Sequence, residues 1–377
     1  MKSKLALVLS LLCAAGFARA QEPPPFLQAG LDYLRKMTAP KKDLDPAFVL
    51  QPELKWEAVL EGTGIRTGAD LHNDITVTEI SGFNSTVYTG TLETGMQKRL
   101  YKKIGAGISY GGLGASYGVE LGRTKGEKNT YFSLGSIGSF YGARIQYYKT
   151  HEYVEGTLDF NNSAPITLLS DHPCQARDLT MDAFYAFNKK HFAYSAAYVG
   201  RLVQRRSVGS WMVAAKFLQG DFSFNPEDHL LIALLNGLNR YSTLQALIGG
   251  GYSYNWVILH RDPEEPATWK GLRNLTLNAT ILPMLSLFNY ISTEQGDGSD
   301  RTRVRFVGQP AFSPTIRCAI GYAWDSWHVN VLASYNRFGF RGADTEVKEN
   351  GGNLHSNVQT QGVFYDLTAQ VKVGMKF

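Results

Sequence analysis

The last thirteen residues, Tyr365-Asp366-Leu367-Thr368-Ala369-Gln370-Val371-Lys372-Val373-Gly374-Met375-Lys376-Phe377, decide the fold. Tyr365, Leu367, Ala369, Val371, Val373, Met375 and Phe377 are apolar or small, and the residues between them are mostly polar or charged. A period of two predicts a β-strand with one greasy and one wet face. The run closes on an aromatic ring. Phe377 is accordingly read as the assembly signal that barrel-insertion machinery would recognise.

The same alternation recurs along the chain. Trp211, Val213, Ala215 and Phe217 share one face, and so do Leu275, Leu277, Ala279 and Ile281. Trp327, Val329, Val331, Ala333 and Tyr335 alternate with polar residues, as do Tyr141, Ala143, Ile145 and Tyr147. Aromatics sit at strand ends and smaller aliphatic residues in the middle, the order that a bilayer with two interfaces selects. A water-soluble sandwich would instead place its bulkiest residues in mid-strand against the facing sheet. Beyond the amino terminus the longest apolar runs, 230–235 and 281–288, fall short of the ~20 residues of a spanning helix. Strands can cross lipid only when every backbone amide is paired, which requires closure. The expected fold is an all-β, antiparallel transmembrane β-barrel.

The amino terminus carries the other topological signal. Lys2 and Lys4 precede the apolar run 5–15, and Ala18-Arg19-Ala20 supplies small residues at the positions a signal peptidase reads. Residues 1–20 therefore read as a cleaved leader. Its loss would take Lys2, Lys4 and Arg19 away and lower the formal net charge from +5 to +2. So small an excess does not predict a nucleic-acid partner. Export with a barrel pattern points to the outer membrane of a Gram-negative cell, with its lipid as the surrounding partner. Residues 21–50 form a separate extension, in which Leu27, Leu31 and Leu34 predict a short amphipathic helix on the periplasmic side. Residues 51–377 form the barrel. Cys174 and Cys318 remain in the mature chain, and spacing does not settle whether they pair.

Counting strands from residue 54 gives about fourteen, with twelve as the alternative. The starts lie near Leu54, Thr86, Lys103, Gly114, Asn129, Phe140, Asp178, Phe192, Ser210, Leu244, Gly271, Pro314, Trp327 and Gly362. With the amino end in the periplasm, the long connections 68–85, 220–243, 286–313 and 341–361 face outward, where long loops belong. One connection disagrees, since 151–177 is long and lands in the periplasm.

Several stretches resemble a family of uncharacterised Bacteroidetes outer-membrane proteins, the domain of unknown function 4421. They are Tyr185-Ala186-Phe187-Asn188 with Phe192, Ala196 and Ala197, then Gln204-Arg205-Arg206-Ser207-Val208-Gly209-Ser210. Further on come Gly249-Gly250-Gly251-Tyr252-Ser253-Tyr254-Asn255-Trp256-Val257 and Leu282-Pro283-Met284-Leu285-Ser286. The resemblance implies an outer-membrane barrel and no particular activity.

No catalytic, cofactor or metal motif emerges from the sequence. His355-Ser356-Asn357 only approaches the pattern of outer-membrane phospholipases, and it falls in an expected loop. The glycines at 105, 107, 111, 112 and 114 lie in alternating strand sequence, not between a strand and a helix, so they are wall residues rather than a nucleotide loop. Charges on the wet faces carry more information. Glu120, Arg144, Asp182, Arg201, Lys216 and Asp366 should face the lumen, because a charge facing mid-bilayer costs ~2–4 kcal/mol. Two arrangements remain open: a paired network that plugs the lumen, aided by inward rings such as Phe184, or a lining that sets the ion preference of a solute path. The expected activity is structural or small-solute transport. The alternatives are an enzyme acting on lipid or peptide at the outer rim, or an adhesin or receptor built on the loops.

Overall fold

The computed structural model describes residues 44–377, apart from residue 54 and the stretches 82–83, 97–99, 111–112, 122–128, 161–164, 230–231, 233–237, 266–267, 296–301, 308–310, 342–344 and 350–353. The expected leader and amphipathic helix lie outside the described residues. Among the described residues there are twenty strands, and many of them are segments of longer staves. Stave one is β2 (Trp56–Ser81), and stave two joins β3 (Asn84–Met96) and β4 (Leu100–Tyr110). Stave three is β5 (Leu113–Glu120) and stave four is β6 (Thr130–Ile137). Stave five joins β7 (Tyr141–Glu152) and β8 (Val154–Phe160), and stave six joins β9 (Ile166–Leu169) and β10 (Cys174–Ala186).

The second half continues the meander. Stave seven is β12 (Val208–Ser223) and stave eight is β13 (Leu238–Arg261). β14 (Arg273–Leu282) and β15 (Met284–Gln295) form stave nine, parted only by Pro283, which has no N–H to give a ladder. β16 (Thr302–Val307) and β17 (Thr315–Trp324) form stave ten. β18 (Trp327–Arg341) and β19 (Thr345–Glu349) form stave eleven, and β20 (Leu354–Lys376) is stave twelve. β20 pairs antiparallel with β2 from Glu57↔Lys376 to Glu79↔Leu354, which closes the barrel. A separate two-residue ladder joins β1 (Val49–Leu50) to β11 (Val203–Gln204).

The barrel is closed, antiparallel and twelve-stranded, so the expected fourteen is two too many. The starts assigned near Thr86 and Lys103 belong to the two halves of stave two, which pair with the upper and lower halves of β2. The start assigned near Phe192 is no strand. Its apolar run folds inward around the one-turn helix α1 (Ser195–Tyr198). With the count corrected, 151–177 moves to the far end, opposite the near end where β2 begins and β20 finishes, and its anomaly disappears. Staves three and four are short. Past their ends β3 pairs directly with β8, from Met96↔Val154 to Gly90↔Phe160.

The wall has the two faces that the alternation predicts. Leu60, Ile104, Ile248, Ile281, Val331 and Val371 point outward and are exposed. At the near end ring pairs make a girdle: Trp56 with Tyr110 at 5.0 Å, Trp211 with Tyr252 at 5.2 Å, and Trp324 with Trp327 at 6.5 Å. Aliphatic residues above an aromatic belt match a hydrocarbon core and its interface. Phe377 stands in this belt, largely exposed, and its N–H donates to the Trp56 carbonyl at 2.9 Å across the closing seam. Cys174 is buried and Cys318 is exposed, and both are free thiols. No described helix is long and apolar enough to cross a membrane.

Candidate functional site

The lumen is where polar residues, charges and space converge, and its contents begin with the connection between staves six and seven. Residues 187–207 turn into the barrel from the near end. Phe192, Tyr194, Ala197 and Tyr198 pack there against wall residues Met212, Leu247, Leu282, Met284 and Ala319. Tyr194 and Tyr198 stack at 4.4 Å, and Phe184 lies 4.3 Å from Tyr194 on the other side. At Gly321 the wall lets α1 come close: an added Cβ would sit 3.0 Å from the Ala197 Cα.

A buried plug brings backbone polar groups that strand ladders do not serve, so the wall must supply partners. β14 does this with its inward face, Asn274, Thr276, Asn278 and Thr280, all buried. Tyr198 donates to Asn278 Oδ1 at 2.9 Å, while Asn278 Nδ2 donates to Ser253 Oγ and Asn255 Oδ1. Asn330 Nδ2 donates to the Ala197 carbonyl at 2.8 Å and Asn255 Nδ2 to that of Ala193 at 2.9 Å. Gln204, fully buried, fastens the base. Its Oε1 accepts from the Ala193 N–H (2.9 Å) and Asn255 (3.1 Å), and its Nε2 donates to the carbonyls of His191 (2.7 Å) and Phe48 (3.1 Å). The neighbouring basic residue is also engaged, since Arg205 donates to Asp262 and to the Pro46 carbonyl, each at 2.6 Å. Arg205 and His260, both hydrogen-bonded to Asp262, hold that carboxyl below the usual carboxylate range against the opposing pull of desolvation. Phe192, Ala197, Gln204, Asn255, Leu282 and Met284, among the residues that carry the family resemblance, gather at this plug.

The charges expected in the lumen fall into three places. Asp182 on β10 accepts from Arg144 Nη2 at 3.0 Å and Nε at 3.2 Å, and from Arg317 Nη2 at 2.8 Å. Arg144 and Asp182 are direct cross-strand neighbours, whereas Arg317 reaches across from β17. Removing one member of a buried ion pair costs ~3–5 kcal/mol, and the Arg317 arm carries more of that cost because the Arg144 side chain is 34% exposed. Beside this cluster Lys216 donates to Asn336 Oδ1 at 2.8 Å, and Asn336 Nδ2 donates to both Asp366 oxygens at 2.8 and 3.0 Å. Glu120 lies apart on β5, buried and opposite Lys103 in the β4–β5 ladder. Arg201 is on the plug connection rather than on the wall, and it is buried at the near end.

Arg317 and Gln204 have no place among the sequence-level candidates. For Arg317 a signal exists: period two through Ile316, Cys318 and Ile320 sets it on the wet face. For Gln204 none exists, because a glutamine before two arginines reads as a solvated turn. In the stretch His172-Pro173-Cys174 the imidazole meets carboxylates of the connection after β12. His172 lies 3.2 Å from Asp228 and 3.0 Å from Glu227, and no group of three or more His, Cys, Asp or Glu poised for a metal occurs among the described residues.

The plug leans on β12–β14, β17 and β18, and the opposite side of the lumen stays clear. There the near halves of β4 to β6 carry small inward residues, Gly105 and Gly107, Gly114 and Ser116, Ser133 and Gly135, with Tyr131 and Ile137 beside them. Three recesses follow one another through the lumen, the first along this side and the other two reaching across to β12, β13, β17 and β18, enclosing about 1080, 810 and 1100 Å³ with their mouths included. Tyr131, Arg144 and Tyr198 line both the first and the second, and Lys103, Tyr148 and Asp366 line both the second and the third. The second recess is the waist. Its lining holds Lys103, Arg144, Lys216 and Arg317 against Asp182 and Asp366, an excess of positive charge.

With the barrel and its contents described, known proteins provide a comparison. The family model described as "Domain of unknown function (DUF4421)" matches residues 93–358. The chain belongs to this family. The match spans the plug connection and most of the wall. Among curated proteins, none matches. Similar solved structures include a bacterial polysaccharide outer membrane secretin, at 10% identity over 82% of this chain and 98% of the other, with a TM-score of 0.27. The β domain of the Bordetella autotransporter BrkA aligns at 11% identity over 83% and 100%, with a TM-score of 0.25. A Pseudomonas aeruginosa FadL homologue aligns at 10% identity over 86% and 90%, with a TM-score of 0.18. At such identities and scores no property of these proteins transfers to this chain.

Proposed function

We propose that this DUF4421 protein is an outer-membrane barrel that passes small solutes along the side of the lumen its plug leaves clear. The observation that carries this reading is the run of three recesses sharing lining residues past a one-sided plug. A barrel built only to be filled would set large side chains all along the wall opposite the plug, whereas this wall sets glycine and serine between Tyr131, Ile137 and Arg144. In this reading residues 1–20 are an export leader, the near end faces the periplasm, and the terminal strand with Phe377 guides insertion. The positive waist favours anions, since fixed lumen charge attracts its counter-ion.

Conductance tests the reading. Purified protein in planar bilayers is expected to show small, steady currents with anion preference. Arg144→Glu should shift that preference toward cations, while Arg317 still holds Asp182. Heat-modifiable gel mobility verifies that the variant is folded. A silent wild type, or a folded Arg144→Glu barrel with unchanged selectivity, would overturn it.

A further inference from the structure

The recess beyond the waist differs from the other two in chemistry. Its walls carry the rings of Tyr101, Tyr148, Phe222 and Tyr241. Its inward charges are two carboxylates, Asp178 and Asp366, against the single ammonium of Lys103, while the Asp221 carboxylate turns to the outer face with its cross-strand partner Ser242. Two of these three charges are already engaged. Asp366 accepts from Asn336, and the Lys103 ammonium lies 4.7 Å from the Tyr148 ring centre. Asp178 differs. Among the described residues none donates a hydrogen bond to it, and its side chain is exposed to the recess. Tyr148 is its cross-strand neighbour on one side and Gly220 on the other. A Cβ at residue 220 would stand 3.2 Å from Asp178 Oδ1 and 3.3 Å from the Thr243 hydroxyl. Glycine there keeps the carboxylate uncovered.

We propose that this recess is a binding cup for an organic ammonium ion with an apolar body. An uncovered carboxylate among aromatic faces supplies what such a ligand needs: a counter-charge for the ammonium and ring faces for the groups around it. A cup wall partly screened from bulk water strengthens that attraction. An anion would meet two carboxylates. A neutral solute would leave Asp178 uncompensated. Below the cup the positive waist opposes passage of a cation, so the cup holds its ligand rather than delivering it. The cup stands whether or not the waist conducts.

The test uses the full barrel in nanodiscs, benzyltrimethylammonium as probe, and calorimetry as readout. Benzyl alcohol and glucose serve as neutral comparisons. The ammonium should bind at least tenfold more tightly than either neutral compound. Asp178→Asn and Gly220→Phe should each weaken it tenfold or more, and Asp178→Glu should retain it. Heat-modifiable mobility reports folding of each variant, and if Asp178→Asn does not fold, Gly220→Phe alone decides. No binding by the wild type, equal binding of benzyl alcohol or glucose, or unchanged binding in a folded Asp178→Asn or Gly220→Phe barrel would overturn the proposal.

Discussion

Replacing Gln204 with alanine should loosen the plug without opening the barrel wall. The side chain makes four hydrogen bonds: it accepts from Ala193 and Asn255, and donates to His191 and Phe48. A net ~0.5–1.5 kcal/mol for each puts the set near 4 kcal/mol. Water entering the space vacated by the amide re-satisfies part of this, so a loss of ~3 kcal/mol is expected. Because β12 and β13 keep their full ladder, the loss falls on plug docking and not on barrel closure. At 1.4 kcal/mol per factor of ten, undocking becomes about a hundredfold more frequent. Hydrogen exchange at the Ala193 and Tyr194 amides should accelerate by about that factor, while exchange in β12 stays unchanged. Single-channel recordings should show added openings of larger amplitude. Unchanged exchange at both amides in a folded Gln204→Ala barrel would refute the reasoning, since the four bonds would then contribute nothing to docking.

Two further outcomes concern the wall and its assembly. Ala215 faces outward near mid-strand, so Ala215→Arg should destabilise the inserted barrel by ~2–4 kcal/mol in urea unfolding. Ser133→Arg, on the clear side of the lumen, should change stability by less than ~1 kcal/mol and reduce conductance; equal destabilisation by the two would mean that the faces are misassigned. Deleting Phe377, or replacing it with Asp, should sharply lower the folded, inserted yield on heat-modifiability gels, and a wild-type yield from both variants would contradict its role at the closing seam.

The sequence is legible where lipid imposes a rule. From Tyr365 to Phe377, Leu367, Val371, Val373, Met375 and Phe377 are exposed on the wall as period two requires, and Lys376 is buried in the lumen. Legibility fails where the rule lapses. The expected outer loop 68–85 is mostly strand, because β2 runs to Ser81 and pairs with β3. Its alternation of Leu71, Ile75 and Val77 with Asp70, His72, Asp74 and Thr76 is interrupted by Asn73 and Glu79 on the apolar side, which weakens the period-two signal. The opposite error occurs at Phe192, Tyr194, Ala196 and Tyr198. They mimic a period-two strand, but plug packing and not lipid selects them. Pairing across the lumen is hidden for another reason. The Arg144–Asp182 contact follows from adjacent strands, but the Arg317 arm spans 135 positions in the chain and depends on the curvature of the whole barrel.

The meeting of β3 and β8 sets the height at which the protein leaves the bilayer. Staves three and four end at Glu120 and begin at Thr130, and the nine residues between them include Arg123, Lys125, Glu127 and Lys128. So charged a sequence demands water, which sets a water line at the ends of β5 and β6. The eight residues of β5, rising ~3.3 Å each and tilted ~40°, give ~20 Å of wall below that line, close to the ~25 Å apolar band of outer-membrane barrels. Above it ten staves continue where twelve stood. The wall below the line thus has two more staves than the wall above it, and the far recess, lined by Lys103, Thr150 and Ala176, lies at that step.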